Sequence, residues 1–378
     1  MNSPVLRMRS LLFLLAITAG SRAEIVSAEK PDSPEKRPQA LPSLRWDGHP
    51  TKIVCLGDSV TGIYYHTGGR RAYPEMLRIA LKRVHPKADI EVVNAGVSGN
   101  TTRNALDRLD RDVLGHRPDL VTVTFGLNDM SRLSLDQFRE NLAEIIARCQ
   151  KAGSQVMLCT PNAVVESAGR PRARLETYCE VIRAMAKESG ILLCDHYAAG
   201  EADRKKDARA WRLTLSDAIH PNMDGHKRMA EELCRSITGQ NVSLSDEGPL
   251  TPALPQTLKK LTEGKPIRVL AMPPFDTLIA PAITTIDPSA KVEVTSWPIE
   301  GQNLAQIQAA AAMKVRSLKP DLVILAIPGG VTAASEEQFS DSFGWVMNHS
   351  LSFGIQEWDC VVVHPSVTVR GGPDIPRS

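Results

Sequence analysis

The strongest constraint on this chain is a series of five short apolar segments separated by stretches of helical periodicity. Lys52–Gly57 (KIVCLG), Asp89–Asn94 (DIEVVN), Asp119–Phe125 (DLVTVTF), Gln155–Cys159 (QVMLC) and Ile191–Cys194 (ILLC) are each nearly continuous in apolar or β-prone residues. Runs of that length without polar alternation read as strands buried on both faces. Between them, apolar residues recur at helical spacing over Tyr73–Val84, Thr102–Leu114, Leu135–Ala152 and Arg172–Glu188. A last helix is predicted over Pro221–Ile237, with Pro at its first position. Strands alternating with helices give a parallel α/β sheet covered by helices on both sides. Sites in such sheets lie outside the carboxyl ends of the strands.

Composition limits the remaining possibilities. The 378 residues leave room for two domains, and 42% apolar with 23% charged residues suits a folded, water-exposed protein. Lysine and arginine number 45 against 43 acidic residues, so there is no electrostatic case for nucleic acid or an anionic membrane as partner. Arg7 and Arg9 followed by the short apolar stretch 11–20 and Ser21-Arg22-Ala23 form a signal peptide pattern. Cleavage is expected after Ala23, with Ala28 as a second site, which places the mature chain in the periplasm or outside the cell. The stretch is too short to span a bilayer, and no stable membrane insertion is expected. Residues 24–46 read as a flexible leader, 47–238 as the first domain and 239–264, with Pro249, Pro252 and Pro255, as a linker. Of the seven cysteines, Cys55, Cys159 and Cys194 fall in apolar strands as small hydrophobes. A Cys159–Cys194 pair stays open. No CxxC or Cys/His ligand spacing occurs, so neither a metal nor a cofactor is expected.

Residues 265–378 carry a second α/β pattern. HPKADIEVVN (85–94) resembles DPSAKVEVTS (287–296), and RPDLVTVTFG (117–126) resembles KPDLVILAIP (319–328), both at an offset of 202. Pro266–Met272 then answers to the first strand with a small shift. At that offset Gly99 falls on Gly301, but Gly126 falls on Pro328 and Asn128 on Gly330. No serine follows Met272-Pro273-Pro274. The segment is expected to be a shortened, chemically degenerate copy.

Four blocks hold the chemistry. Gly57-Asp58-Ser59 puts a serine in a tight turn after the first strand. Ser98-Gly99-Asn100-Thr101 puts a glycine N–H in the loop after the second. Gly126-Leu127-Asn128-Asp129 puts a carboxamide donor after the third. Asp217-Ala218-Ile219-His220-Pro221 puts a histidine before the last helix, with an aspartate three residues back to orient its ring. Each block alone has an ordinary reading: a serine bonding its own turn, an Asx turn, an Asp cap. Together they supply one nucleophile (Ser59), one base (His220), one orienting acid (Asp217) and oxyanion donors from Ser59, Gly99 and Asn128. Gly57, Asp58, Gly126 and Asp129 support them. The loop 61–71, with Tyr64, Tyr65, His66, Arg70 and Arg71, leaves the serine directly and is either a substrate wall or a solvated loop.

These blocks resemble the GDSL/SGNH hydrolase family in its GDS, Gly, GxND and DxxH motifs, over roughly residues 52–238. VVNAGVSGNTTRNALDRL and DAIHPNMDGHKRMA look like the lysophospholipase/arylesterase and platelet-activating-factor acetylhydrolase-like branches. Leu127 stands where many members have Gly. The resemblance implies a flavodoxin-like three-layer α/β/α fold and an ester hydrolase working through Ser59, His220 and Asp217 without a cofactor. The expected partner is a small-molecule or glycan ester, acetyl esters first. Lipid-like acyl substrates, or glycan binding without catalysis, are the alternatives.

Overall fold

The computed structural model describes Leu44, Trp46, Gly48 and residues 50–352 and 357–364. The segment read as a signal peptide, most of the leader and the last fourteen residues lie outside these. The chain divides into two compact units, one running to Leu250 and including Ser340–Gln356, the other comprising Thr251–Phe339 and the residues from Glu357 onward.

The first unit holds five parallel strands: β1 (Thr51–Gly57), β2 (Ile90–Gly96), β3 (Leu120–Thr124), β4 (Gln155–Cys159) and β5 (Leu192–Cys194). Their order is β2-β1-β3-β4-β5. The chain steps from β1 outward to β2, then returns across β1 to build β3, β4 and β5. A crevice therefore opens above the carboxyl ends of β1 and β3, where the winding reverses. Ile53, Val54, Cys55 and Leu56 of β1 are wholly buried, as the continuous apolar run requires. Each such side chain contributes roughly 1.5–3 kcal/mol of burial.

Helices α1 (Tyr73–Val84), α2 (Thr102–Asp112), α3 (Asp129–Arg132), α4 (Leu135–Lys151), α5 (Arg172–Ser189), α6 (His196–Lys206), α7 (Ala208–Arg212) and α8 (Met223–Thr238) cover the sheet. α1 packs on α8, α2 on α4, and α4 on α5. The last of them begins later than the proline suggested. Pro221 is held in a bridge to Leu215, and Asn222 takes the cap, its side chain accepting from the N–H groups of Asp224 and Gly225. The short helices α3, α6 and α7 carry too few apolar repeats to be seen in the sequence. Leu44 and Trp46 pack against the core of this unit, and Trp46 stacks on His85 at 4.4 Å.

The second unit has α9 (Pro255–Thr262), β6 (Ile267–Ala271), α10 (Phe275–Ile286), β7 (Val292–Ser296), α11 (Leu304–Leu318), β8 (Leu322–Leu325) and β9 (Asp359–Val362). Its order, β7-β6-β8-β9, matches β2-β1-β3-β4. The match extends to detail. Among the described residues, Arg117 and Lys319, 202 residues apart, are the non-glycine residues of positive φ, at 50° and 44°. Asp119 accepts from the N–H of Lys52, and Asp321 accepts from that of Arg268, across equivalent strands. The two units differ after their first strands. Between β1 and α1 run fifteen residues, 58–72, whereas only Met272-Pro273-Pro274 separate β6 from α10. The turn that would carry a serine is missing.

Candidate active site

The chain leaves β1 through a turn that admits only glycine at position 57. A Cβ there would lie 1.9 Å from Thr61 Oγ1 and 3.0 Å from the Thr124 carbonyl. Asp58 then closes the turn: its Oδ1 accepts from Val60 N–H at 2.9 Å and its carbonyl from Gly62 N–H at 3.0 Å. Burial pushes the Asp58 carboxyl up to about 6 against the pull of the Val60 N–H and of His220. Ser59, at the tip, is left partly exposed in the crevice.

His220 meets it from the other end of the unit. Ser59 Oγ lies 2.9 Å from His220 Nε2, and His220 Nδ1 lies 2.8 Å from Asp217 Oδ2. A carboxylate can only accept, so Nδ1 carries the hydrogen and Nε2 of the neutral ring is left to accept from the serine hydroxyl. Asp217 Oδ1 also accepts from the N–H groups of Ile219 and His220, at 2.8 and 2.7 Å. Burial alone would raise the Asp217 carboxyl; the His220 ring and those two N–H donors outweigh it and hold it below the usual carboxylate range. The sequence reading's three central residues thus form one continuous hydrogen-bonded chain.

The oxyanion candidates are arranged around this chain. Gly99 sits at φ +73°, a left-handed turn that glycine adopts without strain. Asn128 Nδ2 donates to the Asn100 carbonyl at 3.0 Å and to Asp58 Oδ2 at 3.2 Å. A substrate oxyanion must therefore compete for one of its hydrogens. Asp129 is wholly buried and ties the second and third loops together, accepting from Thr102 N–H and Oγ1, both at 2.7 Å, and from Gly126 N–H at 3.1 Å. Gly126, at φ +132°, lies against Pro161.

Several side chains of the loop after Ser59 are held by protein partners. Arg71 is buried and gives its guanidinium to Glu247 and the Gly248 carbonyl, while Arg70 donates to the Leu250 carbonyl. Tyr64 braces the glycine loop, its hydroxyl accepting from Ser98 N–H at 2.7 Å. The Tyr65 side chain lies outside the described residues. His66 lies nearly flat on the His220 ring: the centroids are 4.2 Å apart, at 15°. Its Nε2 is 3.0 Å from the Ser59 carbonyl, to which it must donate. Burial, with the His220 charge, lowers the His66 pKa to about 3, so this ring stays neutral.

Arg108 escaped the sequence reading because it looks like one more charge on an amphipathic helix. It is buried, and its guanidinium donates to the carbonyls of Gly57 (2.9 Å) and Ala95 (2.8 Å) and to Asn100 Oδ1 (2.8 Å). It draws the serine and glycine loops together. Arg108→Met keeps the stem but orphans these acceptors, at about 1–3 kcal/mol each when water cannot replace the donor. We expect about 3 kcal/mol less stability in urea unfolding; a loss under about 1 kcal/mol would mean that water takes its place.

Among the described residues, Cys194, His196 and Glu232 form a cluster with ligand-type atoms close enough to hold an ion. The Cys194 sulfur is 3.8 and 3.7 Å from the two ring nitrogens, off the lone-pair direction of either. Burial opposes the charge of His196, yet Cys194 and Glu232 raise its pKa to about 10, and Nδ1 lies 2.5 Å from Glu232 Oε2. All seven cysteines are thiols, and Cys159 and Cys194 are register partners on β4 and β5.

Comparison with known proteins places this geometry in a family. Residues 55–228 match the GDSL-like Lipase/Acylhydrolase family. An acetylxylan esterase of Geobacillus stearothermophilus is 29% identical over 216 residues, covering 50% of this chain and 95% of that protein. An arylesterase of Vibrio mimicus is 32% identical over 187 residues, covering 49% of this chain and 88% of its own. The thioesterase 1/protease 1/lysophospholipase L1 of Escherichia coli K12 is 26% identical, covering 49% and 82%. With its five-stranded parallel sheet and its Gly-Asp-Ser, Gly, Gly-x-Asn-Asp and Asp-x-x-His blocks in place, the chain belongs to the GDSL-like lipase/acylhydrolase family of carboxylic ester hydrolases.

Proposed function

We propose that this protein is an exported serine esterase that removes short acyl groups, acetyl foremost, from carbohydrate or other small esters. The observation that carries the mechanism is the chain Ser59–His220–Asp217, at 2.9 and 2.8 Å, above the carboxyl end of β1. The acetyl preference is supported by the acetylxylan esterase matched over nearly its whole length. Export is supported by the signal pattern of residues 1–23, and no helix among the described residues is long and apolar enough to cross a membrane.

Ser59 Oγ attacks the ester carbonyl as its proton passes to His220 Nε2. Asp217 keeps the ring in the productive tautomer and stabilises the imidazolium that forms. The tetrahedral oxyanion is met by the N–H groups of Ser59 and Gly99 and by Asn128, which gives up one of its protein acceptors. His220 returns the proton to the departing alcohol, leaving an acyl-serine. Water then attacks, His220 takes its proton, and the acid leaves as Ser59 is restored.

The test is hydrolysis of p-nitrophenyl esters from acetate to palmitate, beside acetylated xylo-oligosaccharides. The reading expects the highest kcat/KM on acetyl esters and release of acetate from the oligosaccharide. A maximum at long chains would instead favour a lysophospholipase or thioesterase, the activity named for the Escherichia coli relative. Asn128→Ala should lower kcat on acetate by about 10²–10³ through loss of one oxyanion donor. An unchanged kcat would leave Asn128 in the loop-bracing role that its bonds to Asn100 and Asp58 already describe.

A further inference from the structure

The loop Leu215–Pro221 holds both His220 and Asp217, and several of its backbone carbonyls are anchored by hydrogen bonds. The Ala218 carbonyl accepts from Val165 N–H (2.8 Å), that of Ile219 from Asn162 Nδ2 (2.9 Å), and that of His220 from Ser216 N–H (2.8 Å). These donors all lie within the family-matched region 55–228. The carbonyl of Ser216 is different. It accepts at 3.0 Å from Asn348 Nδ2, a residue of helix α12 (Glu336–Ser350), more than a hundred residues beyond the end of that region.

The contact is built, not incidental. Asn348 is 2% exposed. Gly344, one helical turn earlier, approaches so closely that a Cβ on it would lie 3.0 Å from the same carbonyl. Asp341, a further turn back, pairs with Arg212 Nη2 at 2.6 Å. Positions 341, 344 and 348 fall on one helical face, and that face lies along Arg212–Ser216. Residues 340–350 belong to the same compact unit as the active site.

The Ser216 carbonyl belongs to the peptide that leads into Asp217. Fixing its plane fixes where the Asp217 chain begins, and hence the aim of its carboxylate at His220 Nδ1. We propose that Asn348 is a positioning residue for the Asp217–His220 pair, and that α12 completes a catalytic loop by giving the Ser216 carbonyl a donor from outside the family-matched region. The inference rests on the serine-hydrolase reading of the site. It gives the C-terminal part of this chain a role in the reaction.

Two full-length variants test it: Asn348→Leu, which keeps volume but cannot donate, and Gly344→Ala, which presses on the carbonyl from a second point. kcat is taken per active site titrated with a fluorophosphonate, so unfolded protein is not counted. Misplacing a catalytic group by a fraction of an ångström can cost an order of magnitude. We expect kcat to fall about tenfold in each variant, with KM within about twofold of wild type. In an Asp217→Asn background the Asn348→Leu loss should vanish, because the effect runs through Asp217. kcat within twofold of wild type in both variants, or an equal loss with and without Asp217, would overturn the inference while leaving the esterase intact. Should Asn348→Leu fail to fold, Gly344→Ala decides alone. A wild-type chain inert to both esters and fluorophosphonate would remove the serine-hydrolase reading, and this inference with it.

Discussion

Ser59→Ala is expected to lower kcat on p-nitrophenyl acetate by about 10⁴- to 10⁶-fold, the range seen when the nucleophile of a serine hydrolase is removed. The substitution deletes one partly exposed oxygen. The turn that carries it is held by Gly57, by Asp58 through Val60 and Gly62, and by Arg108 on the Gly57 carbonyl, none of which involves the hydroxyl. His66 donates to the Ser59 backbone carbonyl, which alanine also has. The thermal midpoint should therefore stay close to that of wild type while labelling by a fluorophosphonate disappears. A variant that keeps more than about a tenth of the wild-type kcat would sink Ser59 as nucleophile, since no remaining donor can substitute for a covalent acceptor of the acyl group.

Asp217→Asn is expected to cost about 10⁴ in kcat with little change in KM. An asparagine amide facing Nδ1 can donate where the carboxylate accepted. That stabilises the tautomer with hydrogen on Nε2, which then cannot take the serine proton. The same carboxylate couples activity to stability. Its pKa in the folded protein lies below the ordinary value, so it favours folding when ionised. That contribution is fully present above the usual carboxylate range, near about 4, and is lost as pH falls through the lower folded value. In denaturant unfolding, wild type should exceed Asp217→Asn at pH 7 and pH 5, and the gap should narrow below about pH 4. A gap of constant size down to the most acid readable pH would show that His220 and the two backbone donors do not hold Asp217 ionised.

The agreement between sequence and structure follows the range of the forces involved. Strands β1, β3 and β4 were legible because each is a nearly continuous apolar run, which a sheet interior buries on both sides, while the edge strands β2 and β5 are only partly buried and were legible from their β-prone residues. The four blocks were legible because their turn chemistry is local: a glycine before a serine, an Asp three residues before a His, a Gly-x-Asn-Asp at a helix start. The second parallel α/β sheet could be read too, since its apolar segments keep one offset from those of the first. What escaped are residues whose meaning depends on a distant partner. Arg108 reads as a helix-surface charge until its guanidinium is seen on the carbonyls of Gly57 and Ala95. His66 reads as a loop residue until its ring is seen against His220. Arg70 and Arg71 read as loop cations, at a substrate wall or in solvent, and their bonds to residues 247–250 appear only in the fold.

The sequence alone therefore determined the layer architecture and the order of the strands' chemistry-bearing ends, and it singled out the serine, histidine and aspartate that the fold brings within hydrogen-bond distance. Only the tertiary structure decided that Ser59 and His220, 161 residues apart, come within 2.9 Å, that Asn128 already has protein acceptors, and that a helix 132 residues beyond Ser216 anchors the peptide before Asp217. The physical reason is that periodicity and turn preference act between neighbours in the chain, while a hydrogen bond between loops exists only once packing of the whole core has placed both ends.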